Sequence, residues 1–110
     1  MATEENDRGG MMGKLVRDKI PQIIEAAGKR PIIKILSEED YLTELDKKLN
    51  EEVAEYQADK SIEEMADVLE VLLAICEARG HSVEELEAVR KRKRDARGGF
   101  KNRIYWVGNE

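Results

Sequence analysis

Four acidic residues have the spacing needed to bind one cation together. Glu52 and Glu55 lie three residues apart, and Glu64 and Asp67 repeat that spacing. On a helix, residues three apart are one turn from each other, with Cβ atoms about 5–6 Å apart. Two facing helices would therefore place four carboxylates around one space. Hard oxygen ligands with no histidine nearby favour Mg²⁺ or Mn²⁺ over zinc.

The segments that carry these acids are predicted to form a helical hairpin. Ser37 precedes three acids, a pattern typical of a helix start, and the helix is expected to run to about Asp59. Ser61 and Glu64 have capping-box spacing at the start of a second helix over 62–79. The connection is short, so the two helices should be antiparallel neighbours.

The other elements complete a mainly α fold. We predict a short helix over 21–27 and a third long helix over 83–97, which begins at a Ser82/Glu85 capping box. The β-branched residues 32–36 and the segment 103–107 are predicted to be strands that pair with each other. The expected architecture is an antiparallel helical bundle with a small two-stranded β element.

Length and composition limit the organisation of the chain. With 110 residues, of which 39% are charged, we expect one small domain over 14–107 after a flexible N-terminal extension, residues 1–13. The lone Cys76 rules out an internal disulfide. The longest apolar run, 71–76, is far below the ~20 residues that a membrane span needs. We therefore expect a cytoplasmic protein with no membrane partner.

The second hairpin helix predicts a partner chain. Ten of the twelve residues in 65–76 are apolar, the exceptions being Asp67 and Glu70. A helix that is apolar nearly all round is normally buried on more than one side, so we expect a homodimer or higher homo-oligomer. Neither acid has a basic residue three or four positions away. A buried carboxylate needs a cation or good hydrogen bonds, which a metal would supply.

Charge is separated along the chain. Residues 38–70 contain 13 acids and three lysines, whereas residues 90–103 contain eight basic residues and Asp95 alone. The net charge of −5 argues against general nucleic-acid binding. The basic segment is open to three interpretations: a solvated helix end, an RNA-binding patch, or a site for phosphates. Gly98 and Gly99 would fit an anion site or simply a helix stop.

Residues 49–75, LNEEVAEYQADKSIEEMADVLEVLLAI, resemble the MazG-like all-α nucleoside triphosphate pyrophosphohydrolases. The signature of that family is EExxE followed by ExxD, matched here by Glu51, Glu52, Glu55, Glu64 and Asp67. KLVRDKIP (14–21) and KRDARGGFKNRI (93–104) are similar to a house-cleaning subgroup related to phosphoribosyl-ATP pyrophosphohydrolase. Only eight residues separate Glu55 from Glu64, fewer than in many members.

The resemblance implies cleavage that depends on Mg²⁺, or on Mn²⁺ as its substitute, between the α- and β-phosphates of a nucleotide substrate, which gives a monophosphate and pyrophosphate. It implies metal ligation by Glu52, Glu55, Glu64 and Asp67, with Glu51, or a carboxylate of the cluster that binds no metal, as the catalytic general base. Expected phosphate-binding residues are Arg17, Lys19, Arg94 and Arg97.

Two other functions compete with this interpretation. ExxE alone is far more often a solvated helix face than a ligand pair, so the chain could be a non-enzymatic helical dimerisation module. It could also be an RNA-binding adaptor that uses residues 90–103.

Overall fold

A computed structural model describes residues 13–110 and contains four helices in that range. They are α1 (Ile20–Ala26), α2 (Glu38–Ala58), α3 (Ile62–Ala78) and α4 (Val83–Arg97). The mainly α prediction is confirmed, and each predicted helix is found within one residue of its expected bounds. The predicted N-terminal extension, apart from Gly13, lies outside the described residues.

The helix ends follow the side chains that were expected to cap them. The Ser37 hydroxyl accepts a hydrogen bond from the Asp40 backbone N–H at 3.1 Å, which satisfies one of the free donors at the start of α2. At α4, Ser82 and Glu85 form both bonds of a capping box, each at 3.0 Å. α4 ends at Gly98, which has a φ of +85° that side chains disfavour.

The strand predictions are wrong for this structure, because none of the residues from 13 onward forms a strand. A strand is stabilised by ladder hydrogen bonds and by burial of one face. Ile32 and Ile35 are 79% and 89% exposed, so the first segment has no packed face. In the second segment, Arg103 has a φ of +58°, which interrupts an extended run at its first residue.

The chain divides into two compact units between Ile75 and Cys76. The first unit contains α1, α2 and most of α3, and its buried residues are Leu45, Val71 and Glu52. Only three residues connect α2 to α3, which gives the predicted hairpin. The second unit contains the end of α3, then α4 and the C-terminal segment; Cys76 is its buried apolar residue.

The helices among the described residues are too short or too polar to cross a bilayer.

The Ser82 capping box gives a direct test of what sets the start of α4. Ser82→Ala removes the acceptor for the Glu85 N–H and should lower the free energy of unfolding by about 1 kcal/mol. Ser82→Gly should lower the free energy of unfolding by only ~0.3 kcal/mol, because glycine leaves that N–H accessible to water. Urea denaturation followed by far-UV circular dichroism measures both, and equal losses would contradict the capping role.

Candidate metal centre

The α2–α3 hairpin brings acids from both helices together. Glu52 of α2 and Glu64 and Asp67 of α3 each offer a carboxylate oxygen, and these oxygens all lie within 4.8 Å of one another. We call these three residues the cross-hairpin cluster. Two turns of α3 and one residue of α2 contribute to it, because the short connection places the start of α3 beside the end of α2.

Glu55 lies beside the cross-hairpin cluster. Its carboxylate groups with those of Glu51 and Glu52 along α2, again within 4.8 Å, and its charge raises the pKa of Glu64 on α3. Glu55 is exposed, whereas Glu52 is buried and belongs to both groups. Three of the four predicted ligands therefore converge across the hairpin, and the fourth adjoins them through Glu52.

Glu52 is buried beside a lysine of its own helix. Its side chain is 9% exposed, and Lys48 Nζ lies 3.3 Å from Glu52 Oε2. The same ammonium lies 3.4 Å from Glu51 Oε2, while Lys14 approaches Glu51 at 3.6 Å. The i, i+4 spacing of Lys48 and Glu52 is the sequence signal for this pair, which was not among the predictions.

Asp67 has a cation that no local pattern could have indicated. Arg17, fifty residues earlier, donates a hydrogen bond from Nη2 to Asp67 Oδ1 at 2.6 Å. Their side chains are 56% and 41% exposed. Arg17 was expected at a substrate phosphate, and the structure places it on a predicted metal ligand.

Within residues 13–110, Glu64 lacks the counter-ion that its two neighbours have. Its Oε1 is buried and has no hydrogen-bond partner among these residues. Desolvation raises the pKa of Glu64 above its ordinary value, and the negative charges of Glu55, Asp67, Asp59 and Glu52 raise it further. An unpartnered carboxylate oxygen beside two other carboxylates is suited to a hard cation, so these residues fit Mg²⁺ or Mn²⁺.

A groove of about 640 Å³ runs along the same unit and includes Glu52 and Asp67 in its wall. Leu45 and Val71 give it an apolar part, and Tyr41 adds an aromatic ring. Its basic residues are Lys14, Arg17, Lys19 and Lys48. Of the predicted phosphate-binding residues, Arg17 and Lys19 therefore line a groove next to the acids. Tyr41, Lys14 and Lys48 line it too and were not predicted.

Arg94 and Arg97 lie in the second unit, where they line a pocket of about 230 Å³. Lys101 and Arg103 make this pocket strongly basic, and Gly98 and Gly99 form part of it. The segment thus has the charge and the glycine backbone expected of an anion site within its own unit.

The raised pKa of Glu64 predicts a pH-dependent effect of Glu64→Gln in EDTA. The fold disfavours the ionised carboxylate, so the wild type loses stability as pH rises from the ordinary value of 4.5 through the higher folded-state pKa. Glu64→Gln cannot ionise. The melting temperature of Glu64→Gln should therefore exceed that of the wild type by an amount that grows as pH rises. The difference should disappear at acidic pH.

Glu63→Gln is the matched control for this measurement. Glu63 is an exposed acid in the same first turn of α3, so its replacement also removes a charge that favours the helix N-terminus. A similar rise in melting temperature for both variants would contradict a destabilisation that is specific to ionised Glu64.

Comparison with known proteins gave one partial match. An uncharacterised protein from Mycolicibacterium smegmatis is 53% identical over 47 residues, which cover 43% of this chain and 48% of the relative. This chain thus spans about half the length of the curated relative. No family model matches the chain, and no solved structure matches it.

Proposed function

We propose that the chain is a metal-dependent nucleotide pyrophosphohydrolase that cleaves between the α- and β-phosphates to give a monophosphate and pyrophosphate. The observation that carries the proposal is the cross-hairpin cluster, with three carboxylate oxygens within 4.8 Å and a buried oxygen on Glu64 that has no partner among residues 13–110. The reaction class comes from the resemblance to the pyrophosphohydrolases, whose EExxE and ExxD motifs contain the clustered acids.

Glu52, Glu64 and Asp67 would hold the ion. An acidic cluster repels a triphosphate, so it serves such a substrate only through a bound cation. When bound, Mg²⁺ would neutralise phosphate oxygens, stabilise charge in the transition state and lower the pKa of an attacking water. The three carboxylates come from two packed helices, so their relative positions are set by the hairpin.

The groove supplies the complementary groups for the substrate. Lys14, Arg17 and Lys19 lie on its wall and would bind phosphate oxygens that the ion leaves uncovered. The apolar part near Leu45 and the ring of Tyr41 would accept the nucleoside.

Glu55 is the better acceptor for a proton from the attacking water. Glu51 is already ion-paired with Lys48 and Lys14. Glu55 is exposed, lies beside Glu52, and has no ion pair within residues 13–110. A general base must be free to accept a proton, so this role passes from Glu51 to Glu55 in the proposal.

Asp67→Asn tests the proposed reaction. Pyrophosphate release from a panel of nucleoside triphosphates in millimolar Mg²⁺ should fall by at least about 100-fold, the upper end of what loss of an outer-shell partner costs. Asp40→Asn, an exposed acid in the first turn of α2, is the matched control and should retain activity. Wild-type release no greater than that of Asp67→Asn would contradict the proposed function.

Thermal melting separates an enzyme from a dimerisation module. Mg²⁺ that binds only the folded state raises the melting temperature, so the wild type should respond and Asp67→Asn should not. In EDTA the two should differ by only about 1 kcal/mol or less, because the lost Arg17–Asp67 pair is exposed.

We also propose that α3 pairs with a second copy of the chain. Ile62, Met65, Leu69 and Leu72 follow helical spacing along one stripe and are 69%, 45%, 55% and 41% exposed. A contiguous apolar stripe of this kind is typical of an interaction surface.

Leu69→Glu should therefore shift the protein toward monomer in sedimentation velocity, since it places a charge within the proposed interface. Leu86→Glu, at a similarly exposed leucine of α4, is the control and should leave the distribution unchanged. A wild type that is monomeric at micromolar concentration would contradict the dimer.

A further inference from the structure

Two cations of the chain are paired with two of the three carboxylates in the cross-hairpin cluster. Arg17 Nη2 lies 2.6 Å from Asp67, and Lys48 Nζ lies 3.3 Å from Glu52. Any metal that binds the cluster must therefore compete with them. The outcome of that competition differs for the two cations because their surroundings differ.

Lys48 keeps an acidic partner when a metal ion binds Glu52. It also lies 3.4 Å from Glu51, and its side chain is only 16% exposed on α2. It can therefore remain in place with its charge compensated. Lys48 therefore stays on α2 beside its two acids.

Arg17 loses its acidic partner when a metal ion binds Asp67. Within the described range Asp67 is the acid paired with Arg17, and the arginine side chain is 56% exposed. Arg17 precedes α1 in a segment without regular structure, where its carbonyl accepts a hydrogen bond from the Ile20 N–H. Its guanidinium is therefore exposed, borne on a long side chain, and already positioned in the groove.

We propose that Arg17 is exchanged between Asp67 and the substrate. Its guanidinium neutralises Asp67 while no metal is bound, and it passes to a phosphate oxygen of the substrate once a divalent ion takes the carboxylate. Arg17 and Asp67 line the same groove, so the guanidinium meets phosphate there. A guanidinium binds carboxylate and phosphate with the same bidentate geometry. This inference rests on the proposed function.

The first half of the exchange is tested by Mg²⁺ binding alone, measured by isothermal titration calorimetry on the full chain at low ionic strength. Arg17→Met removes the competitor and should tighten Mg²⁺ binding about two- to fivefold, the range for an exposed ion pair. Arg30→Met removes the same type of charge from the same unit and controls for net charge. It should leave the affinity unchanged.

The second half is tested with inorganic pyrophosphate in saturating Mg²⁺. Arg17→Met should bind it about tenfold more weakly, as expected for loss of a charge-assisted hydrogen bond. Arg17→Lys keeps a charge that competes for Asp67 but loses the bidentate fork. It should match the wild type for Mg²⁺ and weaken pyrophosphate binding, which makes it informative if Arg17→Met folds poorly.

The outcomes separate the exchange from the proposed function. Wild type that binds Mg²⁺ and releases pyrophosphate, with Arg17→Met no tighter for Mg²⁺, overturns the exchange and leaves the enzyme intact. Tighter Mg²⁺ binding with unchanged pyrophosphate binding also overturns the exchange, because the guanidinium is then not passed on. Wild type that neither binds Mg²⁺ nor releases pyrophosphate overturns the proposed function, and the exchange with it.

Discussion

Repulsion between like charges on the α2–α3 hairpin is the constraint on which the first unit depends. Glu52, Glu64 and Asp67 offer oxygens within 4.8 Å of one another, and Glu52 is buried. Carboxylates this close cannot all stay ionised without cations. The fold meets this requirement in part, because Lys48 and Arg17 compensate two of them. Burial and the neighbouring carboxylates raise the pKa of Glu64, which has no paired cation within residues 13–110.

Spacing along the sequence was sufficient to predict the helices and which acids lie one helical turn apart, because both depend on local chemistry. Ser37 and Ser82 cap helices through backbone groups three residues away, and Glu64 lies one turn from Asp67. The Arg17–Asp67 pair could not be predicted in this way. It joins residues fifty positions apart, and only the packing of the N-terminal segment brings them together. The unpartnered oxygen of Glu64 is likewise a property of packing, because no sequence pattern specifies which side of a carboxylate is covered.

The strand predictions are wrong for a physical reason, which is that propensity does not supply a partner. Residues 32–36 have the β-branched composition of a strand, yet a strand needs a neighbour to accept its hydrogen bonds. The apolar residues of α3 predict a helix that one chain cannot cover completely, and in this chain Leu69 and Leu72 are 55% and 41% exposed while Val71 is buried. The helix periodicity was correct. What covers the rest of the apolar surface is a tertiary or quaternary question, which is why we propose a second copy there.

The Arg17–Asp67 pair shows that the charges of the chain are not separated completely, because a cation lies among the acids of the first unit. The acid-rich hairpin is not a uniformly negative surface, since cations from α2 and from the N-terminal segment line the same groove as two of the cluster carboxylates. Positive and negative groups are thus interleaved within one unit, before the basic pocket of the second unit is considered. An anionic substrate and a divalent cation have complementary requirements, and such a groove can meet both if its own ion pairs are weak enough to exchange. Exposed pairs such as Arg17–Asp67 are weak in this sense, whereas the more buried Lys48 stays paired with acids of its own helix.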